Sequence, residues 1–296
     1  MRAMPPWRHE NERSGDVPEH GPEREAGIRM DQPFRPLGVV TGATSGIGAA
    51  FAEALAEEGY DLLLTGRRET LLAERSRSLE QRFGIRVEAL RVELDRPQEV
   101  RRLAERLRSL EVDLLVNNAG FGVRCDFLRT PPRTWEALMD LQVRCPLELT
   151  QAVLPGMVAR GRGGVVNVAS EASFLPVPCN GVYAGVKAFL LRWTESLALE
   201  LEGSGVTVQA LCPGLTRTDF HGRLGEEGAR LSRSRWIRWL TPEMVVRASL
   251  GDLKKGRAVC VPGWGSRARI ALLSLLPRSL RLALLGRFFR SASGKR

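Results

Sequence analysis

From residue 36 to about residue 262, short apolar runs alternate with longer stretches whose apolar side chains recur at helical spacing. Leu37–Thr41 reads as a first strand, broken by a glycine-rich turn that opens a helix at Ile47–Glu58. Asp61–Thr65 follows as a strand and Thr70–Arg82 as a helix. Further strands are expected at Val87–Leu94, Asp113–Val116, Gly164–Val168 and Val206–Leu211, with helices at Gln98–Leu110, Trp135–Arg160 and Gly181–Glu202. The strands are short, rich in Val and Leu, and apolar on both faces, as a parallel sheet covered by helices requires. The alternation predicts a single α/β domain, a doubly wound parallel sheet of the Rossmann type with helices on both faces.

Both ends depart from this pattern. Residues 1–35 are crowded with Pro, Glu, Arg, Gly and His, which predicts a disordered N-terminal tail, and they lack the apolar h-region of a signal peptide. Residues 266–296 combine many apolar positions with eight cations (Arg267, Arg269, Arg278, Arg281, Arg287, Arg290, Lys295 and Arg296) and no acid. Such a basic amphipathic extension could lie on an anionic membrane surface, or cover the domain or an oligomer interface. The best candidate for a membrane span, Arg269–Phe289, is interrupted by Arg269, Pro277, Arg278, Arg281 and Arg287, too many charges for mid-bilayer. The folded domain is therefore expected over 36–265, in a cytoplasmic protein that is peripheral to a membrane if its C-terminus docks there.

The formal charge of +10 changes this picture little. Nearly all of it is arginine, since the lysines are Lys187, Lys254, Lys255 and Lys295, a bias consistent with a GC-rich genome. No helix-turn-helix, zinc-finger or RNA-binding signature accompanies it, which argues against nucleic acid as the main partner. Cys125, Cys145, Cys179, Cys212 and Cys260 are scattered without a CxxC pair, as expected of free, reduced thiols. His9 and His20 lie in the tail and His221 stands apart, so no metal site is expected.

The candidate chemistry begins at Thr41-Gly42-Ala43-Thr44-Ser45-Gly46-Ile47-Gly48, between the first strand and the first helix. Glycine is needed here for close approach of a pyrophosphate to the backbone, and the helix N-terminus offers free N–H groups to its phosphates. Gly42, Thr44, Ser45, Gly46, Ile47 and Gly48 are thus the first cofactor-binding candidates. The second strand ends in Leu64-Thr65-Gly66-Arg67-Arg68 with no carboxylate before Glu69. A carboxylate there would accept from a ribose 2′-hydroxyl, whereas two guanidiniums suit a 2′-phosphate, with Thr44 and Ser45 as further donors. NADP(H) is favoured over NAD(H).

Tyr183 and Lys187 are four residues apart in Tyr183-Ala184-Gly185-Val186-Lys187, which places both on one face of a helix. A free phenol titrates near 10, and a neighbouring ammonium is expected to lower that value toward a working general acid or base. Ser170, at the end of Gly164–Val168 and thirteen residues before Tyr183, is placed to hold a substrate oxygen; Ser173 is its rival. Together the TGxxxGxG turn, Asn117-Asn118-Ala119-Gly120, the Ser170–Tyr183–Lys187 spacing and Cys212-Pro213-Gly214-Leu215-Thr216-Arg217-Thr218 resemble the compact short-chain dehydrogenases over about 225 residues.

The resemblance implies a hydride transfer between a nicotinamide and a carbonyl/alcohol pair. It further implies that Asn118, Ala119 and Gly120 line the adenosine ribose, and that Lys187 also reaches the nicotinamide ribose. Pro213, Gly214, Thr216 and Thr218 would hold the carboxamide and phosphate side of the cofactor. Two positions depart from the family. Gln142 stands where relatives carry an asparagine that holds a water of the proton relay, and Glu93, in Val92-Glu93-Leu94, where an aspartate contacts adenine. Relatives commonly pair through the helices here at Trp135–Arg160 and Gly181–Glu202, so a homodimer or homotetramer is implied.

Two segments are expected on the substrate side. In 219–240, Phe220, Leu224, Trp236, Ile237, Trp239 and Leu240 stand among Arg223, Arg230, Arg233, Arg235 and Arg238, which suits a lipophilic carbonyl compound with an anionic head, such as an acyl thioester. Phe174, Leu175, Pro176 and Val177 would add an apolar wall. The rival to an enzyme is a cofactor-binding sensor or scaffold of weak turnover, motivated by Gln142.

Overall fold

A computed structural model describes residues 35–122, 127–218 and 239–293, with side chains up to residue 287. Seven parallel strands form one sheet in the order β3-β2-β1-β4-β5-β6-β7. They are β1 (Leu37–Val40), β2 (Asp61–Gly66), β3 (Val87–Arg91), β4 (Val112–Asn117), β5 (Gly163–Val168), β6 (Val206–Leu211) and β7 (Val259–Cys260). Helices α1 (Gly46–Glu57), α2 (Glu69–Phe83), α3 (Pro97–Arg108), α4 (Pro132–Met139), α5 (Cys145–Arg160), α6 (Gly181–Glu200) and α7 (Pro242–Leu253) connect them. The chain ends in α8 (Trp264–Leu275) and α9 (Arg278–Ser293). The expected tail lies outside the described residues, apart from Arg35.

The period of two along each strand divides the core into two layers. Val40, Leu62, Leu64, Val116 and Val166 join Phe51 and Leu55 of α1 and Val246 of α7. Val39, Leu63, Leu115 and Val165 point the other way, to Leu103 and Leu107 of α3 and Leu149 and Val153 of α5. β2 is buried at every position, which is why its sequence is a nearly continuous apolar run.

Several elements differ from the expected ones, and α7 falls where no helix was expected. The two-residue β7 is too short to leave a periodic signal. The helix expected over Trp135–Arg160 is interrupted by a π-helical turn, Asp140–Arg144, where the Cys145 N–H reaches back to Asp140 O. Pro146 explains the break: it has no N–H to offer the carbonyl of Gln142, and its ring crowds that oxygen. The C-terminal extension is two helices, because Pro277 disfavours helical backbone at Leu276, which is extended. No described helix is long and apolar enough to cross a membrane.

Candidate functional site

Strand order reverses between β1 and β4, and ligands of doubly wound sheets bind outside the carboxyl ends of the strands at such a point. The glycine turn leaves β1 there, and Asn118–Gly120 leaves β4 beside it. Asn118 Nδ2 donates to Thr41 O at 2.8 Å and Gly42 O at 3.2 Å. The Thr41 hydroxyl accepts from the N–H of Asn118 at 2.9 Å and of Ala119 at 3.0 Å. A Cβ on Gly48 would stand 2.3 Å from Asn118 Nδ2 and 2.4 Å from Gly42 O, and Gly42 itself has φ +66°. Both positions require glycine.

Ser45 precedes α1 but makes no side-chain cap hydrogen bond. Its Oγ instead accepts from Arg68 Nη2 at 2.7 Å, and the same nitrogen donates to Thr44 Oγ1 at 2.8 Å. Arg68 therefore folds back over the glycine turn. Arg67 points elsewhere, to within 3.8 Å of Asp95. The Glu93 carboxylate is taken by Arg96 Nε at 2.7 Å and Arg91 Nη2 at 3.4 Å, and Leu94 is buried in the core. Thr216 is buried, with its hydroxyl donating to Gly214 O at 3.0 Å, and the Thr218 methyl lies where a Cβ on Gly46 would meet it at 3.0 Å. The bare glycines, the uncapped N-terminus of α1 and the Arg68 fork fit a dinucleotide cofactor.

The chemical centre lies at the end of β5. Tyr183, in the first turn of α6, is hydrogen-bonded to the Ser170 side chain. Lys187, one turn on, is buried; its Nζ donates to Val168 O at 2.7 Å and stands 5.6 Å from the Tyr183 ring centroid. Sequence spacing thus brings these three together as expected. The expected electrostatics are reversed. Burial raises the Tyr183 phenol to about 12, with the Ser170 hydrogen bond opposing it, and burial lowers Lys187 to about 7. Burial dominates both shifts because each group would carry its charge away from water. Ser173, the rival serine, spends its hydroxyl on Lys187 O at 2.8 Å.

Gln142 sits in the π-helical turn, nearly inaccessible to solvent. Its Nε2 donates to Phe121 O at 2.9 Å, and its Oε1 has no hydrogen-bond partner among the described residues. A Cβ on Gly120 would meet that oxygen at 2.7 Å, so Gly120 is the space that the longer glutamine occupies.

Several site residues leave no signal in the sequence. Asn117 Nδ2 donates to Asn167 Oδ1 at 2.8 Å and Thr150 Oγ1 at 3.1 Å, and Asn167 Nδ2 to Thr194 Oγ1 at 2.9 Å. This buried polar chain ties β4 and β5 to α5 and α6 directly beneath the centre. Asn117, in the quoted motif, was the only hint of it.

Beside Tyr183 opens a cavity of about 530 Å³ lined by Phe127, Trp135, Leu138, Val177, Pro178 and Val182, with Thr130, Thr134 and Asn180 between them. Of the expected apolar wall, Val177 lines it, whereas Phe174 packs against the cluster of Ala169, Leu190, Leu191, Ala210 and Cys212. Trp239 and Leu240 are described, and Leu240 pairs with Leu215 and Arg217 through the backbone. The other substrate-side candidates, Phe220, Leu224, Trp236, Ile237 and the five arginines, lie outside the described residues. Cys145, Cys179, Cys212 and Cys260 are free thiols.

Comparison with known proteins agrees with this fold. Residues 38–228 match the family model described as short chain dehydrogenase. A short-chain dehydrogenase from Sphingobium yanoikuyae, solved in complex with NADPH, superposes with a TM-score of 0.73 at 32% identity, covering 82% of this chain and 97% of that one. A short-chain dehydrogenase/reductase from Burkholderia phymatum, solved in complex with NAD, has a TM-score of 0.73 at 25% identity, covering 81% and 93%. The very-long-chain 3-oxoacyl-CoA reductase of Pyrenophora tritici-repentis is 34% identical over 62% of this chain, which spans only 57% of that protein's length.

Proposed function

The chain belongs to the short-chain dehydrogenase family, an oxidoreductase by that membership, and from this premise we propose that it transfers hydride between NADP(H) and a lipophilic carbonyl or alcohol. The observation that carries the reading is the hydrogen-bonded Ser170–Tyr183 pair over buried Lys187 at the rim of an apolar cavity. The bound nicotinamide supplies or accepts the hydride. Tyr183 gives its proton to the carbonyl oxygen in the reductive direction, and a phenol at about 12 stays protonated across the neutral range. Ser170 holds the same oxygen in place. Lys187 orients the phenol's helix turn through Val168, and its ammonium form would favour the charge that develops on the oxygen. Gln142 holds the Phe121 carbonyl and, through it, the loop that follows the cofactor-lining Asn118–Gly120.

Arg68 favours NADP(H): its guanidinium already gathers Thr44 and Ser45 into one donor cluster where a 2′-phosphate would sit. Arg67, Glu93, Pro213, Gly214, Thr216 and Thr218 complete the proposed cofactor site. The cavity lining suits an alkyl or ring-bearing ketone, and the similarity to a 3-oxoacyl-CoA reductase adds acyl thioesters to the panel.

The test is NADPH and NADH oxidation over lipophilic ketones, aldehydes and 3-oxoacyl thioesters. NADPH-selective turnover that falls by about 10²–10⁴-fold in Tyr183→Phe, with cofactor binding retained, is the expected result. NADPH binding without turnover across the panel would favour the sensor reading instead.

A peripheral membrane contact is supported by Leu272, Leu275, Leu280, Leu282 and Leu284, exposed on α8 and α9 among Arg267, Arg278 and Arg287. Co-flotation with anionic liposomes that is lost on removing residues 278–296 is expected, and flotation unchanged by that truncation counts against it. Exposed Val158 on α5 and Phe189 and Leu199 on α6 suit a homo-oligomer formed through those helices, which sedimentation checks.

A further inference from the structure

Helix α8 lies beyond the residues matched by the family model, yet it reaches the chemical centre. Ser266 and Arg269 are three residues apart and share a face of α8. Both converge on the carboxylate of Glu171, the residue after Ser170. Arg269 Nε donates to Glu171 Oε1 at 3.0 Å and Arg269 Nη2 to Oε2 at 2.9 Å, a two-point fork. Ser266 Oγ donates to Oε2 at 3.1 Å and accepts from Arg269 Nη2 at 3.2 Å. The Glu171 side chain is only 18% exposed, so three donors compensate a largely desolvated charge.

The same residue joins two more pieces of the site. Its N–H donates to Pro213 O at 2.9 Å, in the loop expected to hold the cofactor. A Cβ on Gly214 would meet Ser266 Oγ at 2.6 Å and Glu171 Oε2 at 2.8 Å, so loop and helix close on each other with no room to spare. Ser170 sits just upstream, at the head of the single turn Glu171–Ser173, where its Oγ accepts from the Ala172 N–H at 3.1 Å. A turn of three residues cannot hold itself in place. Its orientation, and that of the Ser170 hydroxyl, depends on what grips Glu171.

We propose that Arg269 and Ser266, through Glu171, are positioning residues that set Ser170 against Tyr183 and the Pro213–Gly214 loop against the cofactor. The C-terminal helix is in this sense part of the active site. The proposal rests on the oxidoreductase reading above for its kinetic arm alone.

The experiment uses the full chain with Arg269→Met, Arg269→Lys, Ser266→Ala, Glu171→Gln and the Glu171→Gln/Arg269→Met pair. NADPH affinity by fluorescence, kcat and KM for a carbonyl substrate, and thermal midpoint are measured on each. Arg269→Met is expected to lower kcat about 10-fold or more and to weaken NADPH binding several-fold, with substrate KM little changed. Arg269→Lys should recover part of both losses, Ser266→Ala should lose less, and the double variant should be no worse than the poorer single. Unchanged kcat and NADPH affinity in variants that only melt earlier overturn the proposal. So does a double variant whose losses simply multiply. If Arg269→Met does not fold, Arg269→Lys and Ser266→Ala carry the same comparison. A wild-type protein inactive on every carbonyl would count against the proposed function, while the affinity arm would still decide the role of α8.

Discussion

The two halves of the site are built by different means. The cofactor half is made of backbone: bare glycines, an uncapped helix N-terminus, and Asn118 bracing the turn from the next strand over. The proposed catalytic half rests mostly on side chains: Lys187 of α6 donates to Val168 O at the end of β5, and Ser266 and Arg269 of α8 hold Glu171 in the short turn after Ser170. The first half tolerates almost no added atom. In the second, each group is held by contacts from separate elements, so its position depends on how those elements pack.

Breaking the backbone half should have the largest effect on cofactor binding. Gly48→Ala places a methyl inside van der Waals distance of Asn118 Nδ2 and Gly42 O, so the helix must shift from the strand. Loss of about 1–3 kcal/mol of stability and of at least about 100-fold in cofactor affinity is expected, read by thermal melting and cofactor titration. An alanine variant with native affinity would show that the turn can relax.

Arg68→Ala tests a side chain within the same half. NADPH affinity should fall by about 10–100-fold while NADH affinity moves by less than about threefold, as loss of a charge-assisted contact to phosphate predicts. Equal losses for both cofactors would assign Arg68 to bracing Thr44 and Ser45 rather than to recognition.

The smallest effect is on stability, in the catalytic half. Lys187 titrates at about 7 in the folded protein and near 10.5 unfolded, so between those values the unfolded chain holds the extra proton. The contribution of Lys187 to stability should therefore rise with pH across that window, and Lys187→Met should remove it. The buried thiols Cys145, Cys212 and Cys260, which burial pushes up, contribute in the opposite direction. Thermal midpoints at pH 7, 8 and 9 decide it. Parallel profiles for both proteins would mean that Lys187 keeps its ordinary value. Tyr183, raised to about 12, does not interfere below pH 10.

Legibility in the sequence follows the same division. Gly42, Gly48, Ser170, Tyr183 and Lys187 were found because their spacing along the chain determines their spacing in space, through one turn or one helix. Gln142 was found but its contact was not, since the amide's partner, Phe121, is 21 residues away. Arg67 and Arg68 looked equivalent as neighbours, yet one forks onto the glycine turn and the other faces Asp95. The single helix expected over Trp135–Arg160 failed at Asp140–Arg144 because its apolar periodicity outweighed the one proline that breaks the bonding pattern.

Short strands apolar on both faces were enough to specify the parallel sheet, and motifs of local geometry were enough to place the candidate groups at the ends of β1, β4 and β5. Only the tertiary structure decided the protonation balance of Tyr183 and Lys187, because burial depends on the whole chain, and the grip of α8 on Glu171, which joins residues 98 apart. Contacts of that separation are chosen by packing, and packing leaves no period in the sequence.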